Sequence, residues 1–214
     1  MSTNAHKLAL LMHGGGAGAF GEGAVILDDF NRPNESPAND NWTWVFGQGD
    51  VVDNRLVAVG STSNLGVWNT PPTKADYDLT ATLSIVGPEG GAPTPLAAFL
   101  LRAKDTAEIA TFDAYQVAFV LDSTGNHHVA FGRLDDGVGT ELDTVAIDDL
   151  EDGMQIGARI RGDTIAAYEN RGEGWAFIGQ VEDATYSQSG SFGVRINTNT
   201  SLELDDFAVG MLPG

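Results

Sequence analysis

Cysteine is absent from this chain of 214 residues. That absence excludes disulfide staples, thiol nucleophiles and cysteine-ligated zinc together. It leaves the compartment open, because a domain of this length buries roughly 70 % of its unfolded surface and needs no cross-links. Basic residues are scarce: eleven Lys and Arg stand against thirty Asp and Glu, a net charge of −19 spread along the whole chain. No basic patch is visible to meet a phosphate backbone or an anionic bilayer, so neither nucleic acid nor a membrane is an expected partner. Solubility or an acidic proteome accounts for such a balance, and cation binding or docking on a basic partner would use it. Long apolar runs are missing too. Leu8 to Met12 is the longest near the start, too short for an export signal or a bilayer span. Finally, no segment carries a helical stripe of apolar residues.

What the chain does have is alternation. In Gln155–Arg161 the residues Ile156, Ala158 and Ile160 alternate with Gly157, Arg159 and Arg161, the two-residue period of a strand with one buried face. Gly162-Asp163 suits a two-residue hairpin that pairs Arg161 with Thr164 and Ile160 with Ile165. Ile156, Ala158, Ile160, Ile165 and Ala167 then share an apolar face, while Arg159, Arg161 and Tyr168 take the other. Gly172-Glu173-Gly174 returns the chain as a third strand from Trp175 to Val181.

The same pattern predicts strands at Ile26–Phe30, Trp42–Phe46, Arg55–Val59, Gly66–Asn69, Tyr77–Val86, Leu96–Arg102, Tyr115–Leu121, His128–Leu134, Glu141–Ile147, Gly190–Ile196 and Ser201–Val209, besides those of the meander. Short strands, close turns and no helices predict an all-β, two-sheet antiparallel sandwich of jelly-roll type over residues 25–214. Leu27-Asp28-Asp29-Phe30 and Leu204-Asp205-Asp206-Phe207 are terminal strands that would pair and close one sheet.

Residues 1–24 differ in character. A short apolar patch precedes HGGGAGAFGEG, and the segment reads as a glycine-rich N-terminal arm. Gly16, Gly18 and Gly21 fit a dinucleotide-binding spacing, but the following residues read as a strand where a helix should open. His13-Gly14-Gly15-Gly16 resembles an esterase oxyanion loop, and the nucleophile motif that should accompany it is missing.

The order DDFNRP, NWTW, RLVAV, YDLTATLSI, FLLRAKD, YQVAFVL, GARIRGDTIAAYENRGEGW and a terminal LELDDFAVG resembles the concanavalin A-like lectin/glucanase jelly-roll superfamily over residues 25–210. More loosely, a domain of this kind behind a glycine-rich arm is similar to those in virion proteins of tailed phages. The resemblance implies a non-enzymatic structural or adhesion module located in a virion: a minor tail or capsid-decorating component. It would dock through Leu8, Leu10, Leu11, Met12 and Phe20 on other virion proteins or on copies of itself as a homo-oligomer. The alternative it implies is a lectin-like domain recognising a cell-surface glycan, and a third, weaker implication is a glycoside hydrolase.

Laminarinase-type members of the superfamily carry E-x-D-x-E or E-x-D-x-x-E on one strand, the paired carboxylates of a retaining hydrolase. Glu141-Leu142-Asp143 and Glu203-Leu204-Asp205 each begin the pattern and lack its second glutamate, so no catalytic residue is assigned. Members of this class often tie their terminal strands with calcium. Asp28, Asp29, Asp205 and Asp206 are the candidate donors, although only one acid of each adjacent pair can point the same way from a strand. No other cofactor is expected. His127-His128 reads as an ordinary surface dipeptide. The most groove-like polar set is Trp68, Arg102, Arg159, Arg161 and Tyr168, the candidate ligand-binding face.

Overall fold

Alternation between apolar and polar positions is what the backbone uses to sort residues between two sheets. The structure, a computed structural model, describes residues 19–38, 41–60, 63–87, 94–122, 126–197 and 202–213. Its strands are β1 Val25–Asp28, β2 Trp42–Phe46, β3 Gln48–Val52, β4 Arg55–Val59, β5 Asn64–Trp68, β6 Tyr77–Ile85, β7 Leu96–Lys104 and β8 Asp113–Val120. They continue as β9 His128–Asp135, β10 Val138–Ala146, β11 Gln155–Arg161, β12 Thr164–Asn170, β13 Trp175–Glu182, β14 Ser191–Ile196 and β15 Leu202–Met211. One 3-10 turn, Ile109–Thr111, is the only helical element among the described residues.

The larger sheet runs β13-β12-β11-β6-β15-β4-β3, with β1 added on β15. The smaller runs β10-β9-β8-β7-β14-β5-β2. The protein is therefore an all-β, two-sheet antiparallel sandwich, as expected. The terminal strands do pair, with Val25 opposite Val209 and Ile26 opposite Ala208. The meander takes the register read from its turn, Arg161 opposite Thr164 and Ile160 opposite Ile165. Gly162 turns the chain with φ +56°, which a residue bearing a Cβ adopts only with strain.

One strand, β3, lies between the expected strands Trp42–Phe46 and Arg55–Val59 and was not among them. Its glycine has a packing reason: a Cβ on Gly49 would stand 2.2 Å from the Trp44 ring. β3 sits at the edge of its sheet, and Trp44 of the preceding strand fills the space that a side chain on Gly49 would take.

The core between the sheets is aromatic. Phe207 packs on Trp42 at 5.2 Å, on Phe192 at 6.0 Å and on Phe99 at 6.5 Å, and Trp42 meets Trp68 edge-on at 5.3 Å. Burying each such side chain contributes about 1.5–3 kcal/mol. This corrects the placement of Trp68 on a polar face. Leu65 and Val67 do not face inward but pack with Val45, Leu100 and Phe112 on the outer side of the smaller sheet, which turns Trp68 into the core.

At one end of the sandwich the core becomes polar. The Tyr77 hydroxyl accepts a bond from the Arg102 backbone N–H, and the Tyr115 hydroxyl accepts from the Tyr186 N–H. Tyr186 donates its hydroxyl to the Leu134 carbonyl. Burial, the leading cause in each case, raises the phenol pKa of Tyr77, Tyr186 and Tyr168, and pushes Tyr115 up to about 12. These are all the tyrosines of the chain. A raised folded-state pKa contributes stability that is intact below the unfolded value of about 10 and is lost as pH rises through the folded one. Tyrosinate absorbance is accordingly expected to stay low past pH 10 and then to rise steeply together with loss of the fold. A gradual titration centred near pH 10 in the folded protein would contradict this arrangement.

Candidate ligand-binding faces

The sequence places Arg159 and Tyr168 on the outer face of the larger sheet, and the structure shows what lies against them. The Arg159 guanidinium forms a two-pronged ion pair with the buried Asp78, Nε to Oδ1 at 2.7 Å and Nη2 to Oδ2 at 2.8 Å. Asp78 stands beside Arg159 because β6 pairs with β11 in that register. Above them sits Phe20 of the protein's own N-terminal segment. Its ring stacks on Tyr168 at 4.0 Å, meets Trp175 edge-on at 4.7 Å, and takes the Arg159 cation at 5.3 Å. Gly21 donates its N–H to Asp78 Oδ2 at 2.8 Å. Gly157 makes room for the ring, since a Cβ there would lie 2.4 Å from Phe20 Cζ. Phe20 is only 8 % exposed. The Arg159–Tyr168 surface is thus a socket filled by the chain itself.

The other residues of that set lie elsewhere. Arg161 is exposed at the hairpin end. Arg102 belongs to the smaller sheet and is 1 % exposed, donating to the carbonyls of Ala75 and Tyr186 and pairing with Asp76. It is a structural tie at a bulge, where its φ is +50°. Leu8, Leu10, Leu11 and Met12 lie outside the described residues.

The four aspartates proposed for calcium point in different directions. Asp28 is turned into the core, accepting from Trp42 Nε1 at 2.8 Å and from the Phe30 N–H at 2.9 Å, and pairing with Arg32. Asp29 accepts from the Asn31 N–H, Asp205 from the Asp206 N–H, and Asp206 from the Thr82 hydroxyl. Burial, its leading cause, raises the pKa of Asp205. Among the described residues no three His, Asp or Glu side chains gather as a metal-holding group. His127, read as surface, is in fact buried, and its Nδ1 accepts the Leu150 N–H at 3.0 Å.

A second face was not singled out from the sequence. On the outer side of the smaller sheet a cleft of about 130 Å³ is lined by Gln116, Gly132, Thr140, Glu141 and Arg195 among others. The register explains its shape. Gly132 stands between Gln116 and Glu141 across β8, β9 and β10, so the floor has no side chain there. Arg195, on β14, reaches across β7 to donate Nη1 to Gln116 Oε1 at 2.8 Å, and its Nε donates to Ser63 Oγ at 2.8 Å. The signal that could have found this face was the small residues Ala130, Gly132 and Gly139 around an arginine. Only strand order shows that they are neighbours. Glu141 is at the rim of this cleft: a bulge pairs Glu141 with Gly132 but Asp143 with the inward Phe131, which sends the two acids to opposite sides of β10.

No family of known sequences and no curated protein matches this chain. Solved structures do. The carbohydrate-binding module CBM66 from Bacillus subtilis is similar with a TM-score of 0.63 at 13 % identity, covering 81 % of this chain and 98 % of that module. The exoplasmic/lumenal domain of VIP36, in a form with calcium and Man2 bound, is similar with a TM-score of 0.61 at 10 % identity, over 87 % and 86 % of the two chains. The CBM2 module of the evolved Dit of Lactobacillus casei BL23 phage J-1 gives 0.56 at 12 % identity, over 85 % and 92 %. The fold is that of jelly-roll carbohydrate-binding modules and lectins, consistent with the concanavalin A-like resemblance.

Proposed function

We propose that this protein is a non-enzymatic adhesion module that binds a carbohydrate in the cleft on the outer face of its smaller sheet. The observation that carries the reading is the cleft itself: an amide, a hydroxyl, a carboxylate and a guanidinium converge over a glycine floor, which suits the hydroxyls of one sugar ring. The Arg159–Tyr168 face supports it by exclusion, since Phe20 already fills that surface. The similarity to CBM66 and to the lumenal domain of VIP36 agrees with it. The reading assigns no acid/base pair, and Glu141 acts as a hydrogen-bond acceptor for sugar hydroxyls.

A glycan array probed with the whole protein, with and without calcium, tests this. Binding is expected, and Gln116→Ala is expected to weaken it about tenfold, the worth of one well-placed hydrogen bond. Binding that is unaffected by Gln116→Ala would move the site elsewhere, and no glycan bound in either condition would sink the reading. Calcium dependence, suggested by the VIP36 form, would point to a site beyond the acids described above.

The similarity to a phage Dit module favours a second, compatible reading: a virion component, minor tail or capsid-decorating, attached to other virion proteins or to copies of itself through the residues ahead of Phe20, since Phe20 itself is taken up by the protein's own socket rather than by a partner. Gradient-purified particles should then contain the chain, and its absence from them would leave the glycan-binding reading alone.

A further inference from the structure

This chain has acids in abundance, and its arginines use them. Arg32, Arg55, Arg102, Arg133, Arg159 and Arg171 each pair with a carboxylate, and Arg161 lies in solvent. Among the described residues Arg195 does neither. It is half-buried in the cleft wall, and its protein acceptors are the neutral Ser63 Oγ and Gln116 Oε1. A guanidinium has N–H donors for five bonds. The second hydrogen on Nη1 and both on Nη2 therefore have no acceptor among the described residues. Burial pulls the Arg195 pKa downward.

Taking a cation from water without a counter-charge is unfavourable. In a chain with thirty acids, the lack of one here is not a matter of supply. Ser63 and Gln116 hold the guanidinium in place and leave its terminal edge open, the edge that accepts a carboxylate through two parallel hydrogen bonds. Glu141, on the far side of Gly132, would repel a second anion and accept from sugar hydroxyls.

Resting on the reading of this cleft as the sugar site, we infer that its ligand is a glycan bearing a carboxylate, held by Arg195. The acid group would lie against Nη1 and Nη2, with the ring over Gly132 between Gln116 and Glu141. Arg195 is thus a specificity-determining residue that separates acidic sugars from neutral ones.

Calorimetry on the whole protein with a galacturonate oligomer and with the same oligomer reduced to its neutral galactose form provides the test, alongside a sulfated galactose oligomer. The carboxylated form is expected to bind roughly 10- to 100-fold more tightly than the neutral one, the range of a charge-assisted hydrogen bond. Arg195→Gln is expected to erase that advantage with circular dichroism unchanged, and Arg195→Lys to keep part of it, because a point charge lacks the fork. Equal binding of neutral and acidic forms would overturn the carboxylate assignment and leave the sugar site standing. Equal binding of the sulfated oligomer would likewise overturn it in favour of anions at large. A preference that survives in folded Arg195→Gln would remove Arg195 from the role. No binding of any oligomer would sink both this inference and the reading on which it rests.

Discussion

Arg102→Ala is expected to destabilise the protein by about 3–5 kcal/mol, the loss seen when one partner of a buried ionic network is removed. Arg102 stands in β7 of the smaller sheet, yet its bonds go elsewhere. Nη1 donates to the Tyr186 carbonyl at 2.7 Å, in the link from β13 to β14, and Nε to the Ala75 carbonyl at 3.3 Å, just ahead of β6. Nη2 meets Asp76, which also accepts the Gly162 N–H from the β11–β12 hairpin. One side chain thus ties both sheets and two turns at one end of the sandwich. Alanine would leave two carbonyls without donors and a hole the size of the guanidinium. Arg102→Lys should recover only part, because an ammonium cannot span three acceptors in different directions. Arg161→Ala, on the exposed hairpin, should change stability by less than about 0.5 kcal/mol. Urea unfolding followed by circular dichroism measures all three, and an Arg102→Ala midpoint close to that of Arg161→Ala would refute the tie.

The second large effect concerns the Phe20 socket. Phe20→Ala is expected to cost about 3 kcal/mol, the lower end for deleting a buried phenylalanine, because the segment carrying it is held by few other contacts. Gly157→Ala should produce nearly the same loss by another route. Its new Cβ would lie 2.4 Å from Phe20 Cζ and 3.2 Å from the Leu79 carbonyl, so the ring is the group that must leave. Both substitutions remove one contact, and the double variant should therefore cost little more than the larger single one. Trp175 emission should shift to the red in each, as its edge-on partner departs. Additive losses, or unchanged emission, would show that Phe20 and Gly157 act separately. Binding in the Arg195 cleft, on the other sheet, should not change.

The meander shows how far one-dimensional pattern carries. Its alternation set the two faces of β11 and β12, and the glycine of its turn set the register, since both are properties of adjacent residues. The socket on its polar face was half legible: Arg159 and Tyr168 were named together, while Phe20 was assigned to an arm that docks on a partner, because nothing in the sequence joins residues 20 and 168. Trp68 was misplaced because β5 is buried on both sides, where alternation loses its contrast. Asp28 and Asp29 read as an acidic pair for an ion, and only packing shows that Asp28 turns inward to Trp42 and Arg32.

By itself, then, the sequence determined the fold class, the strands of the meander and the pairing of the two terminal strands. Each of these is written in local period, turn chemistry or residue identity. Tertiary structure decided which surface is open. It covered the Arg159 face with Phe20, enclosed Arg102, and set Arg195 beside Gln116 from strands nearly eighty residues apart. Those outcomes depend on strand order and on which charges find partners, and both are fixed by long-range packing that no local pattern records.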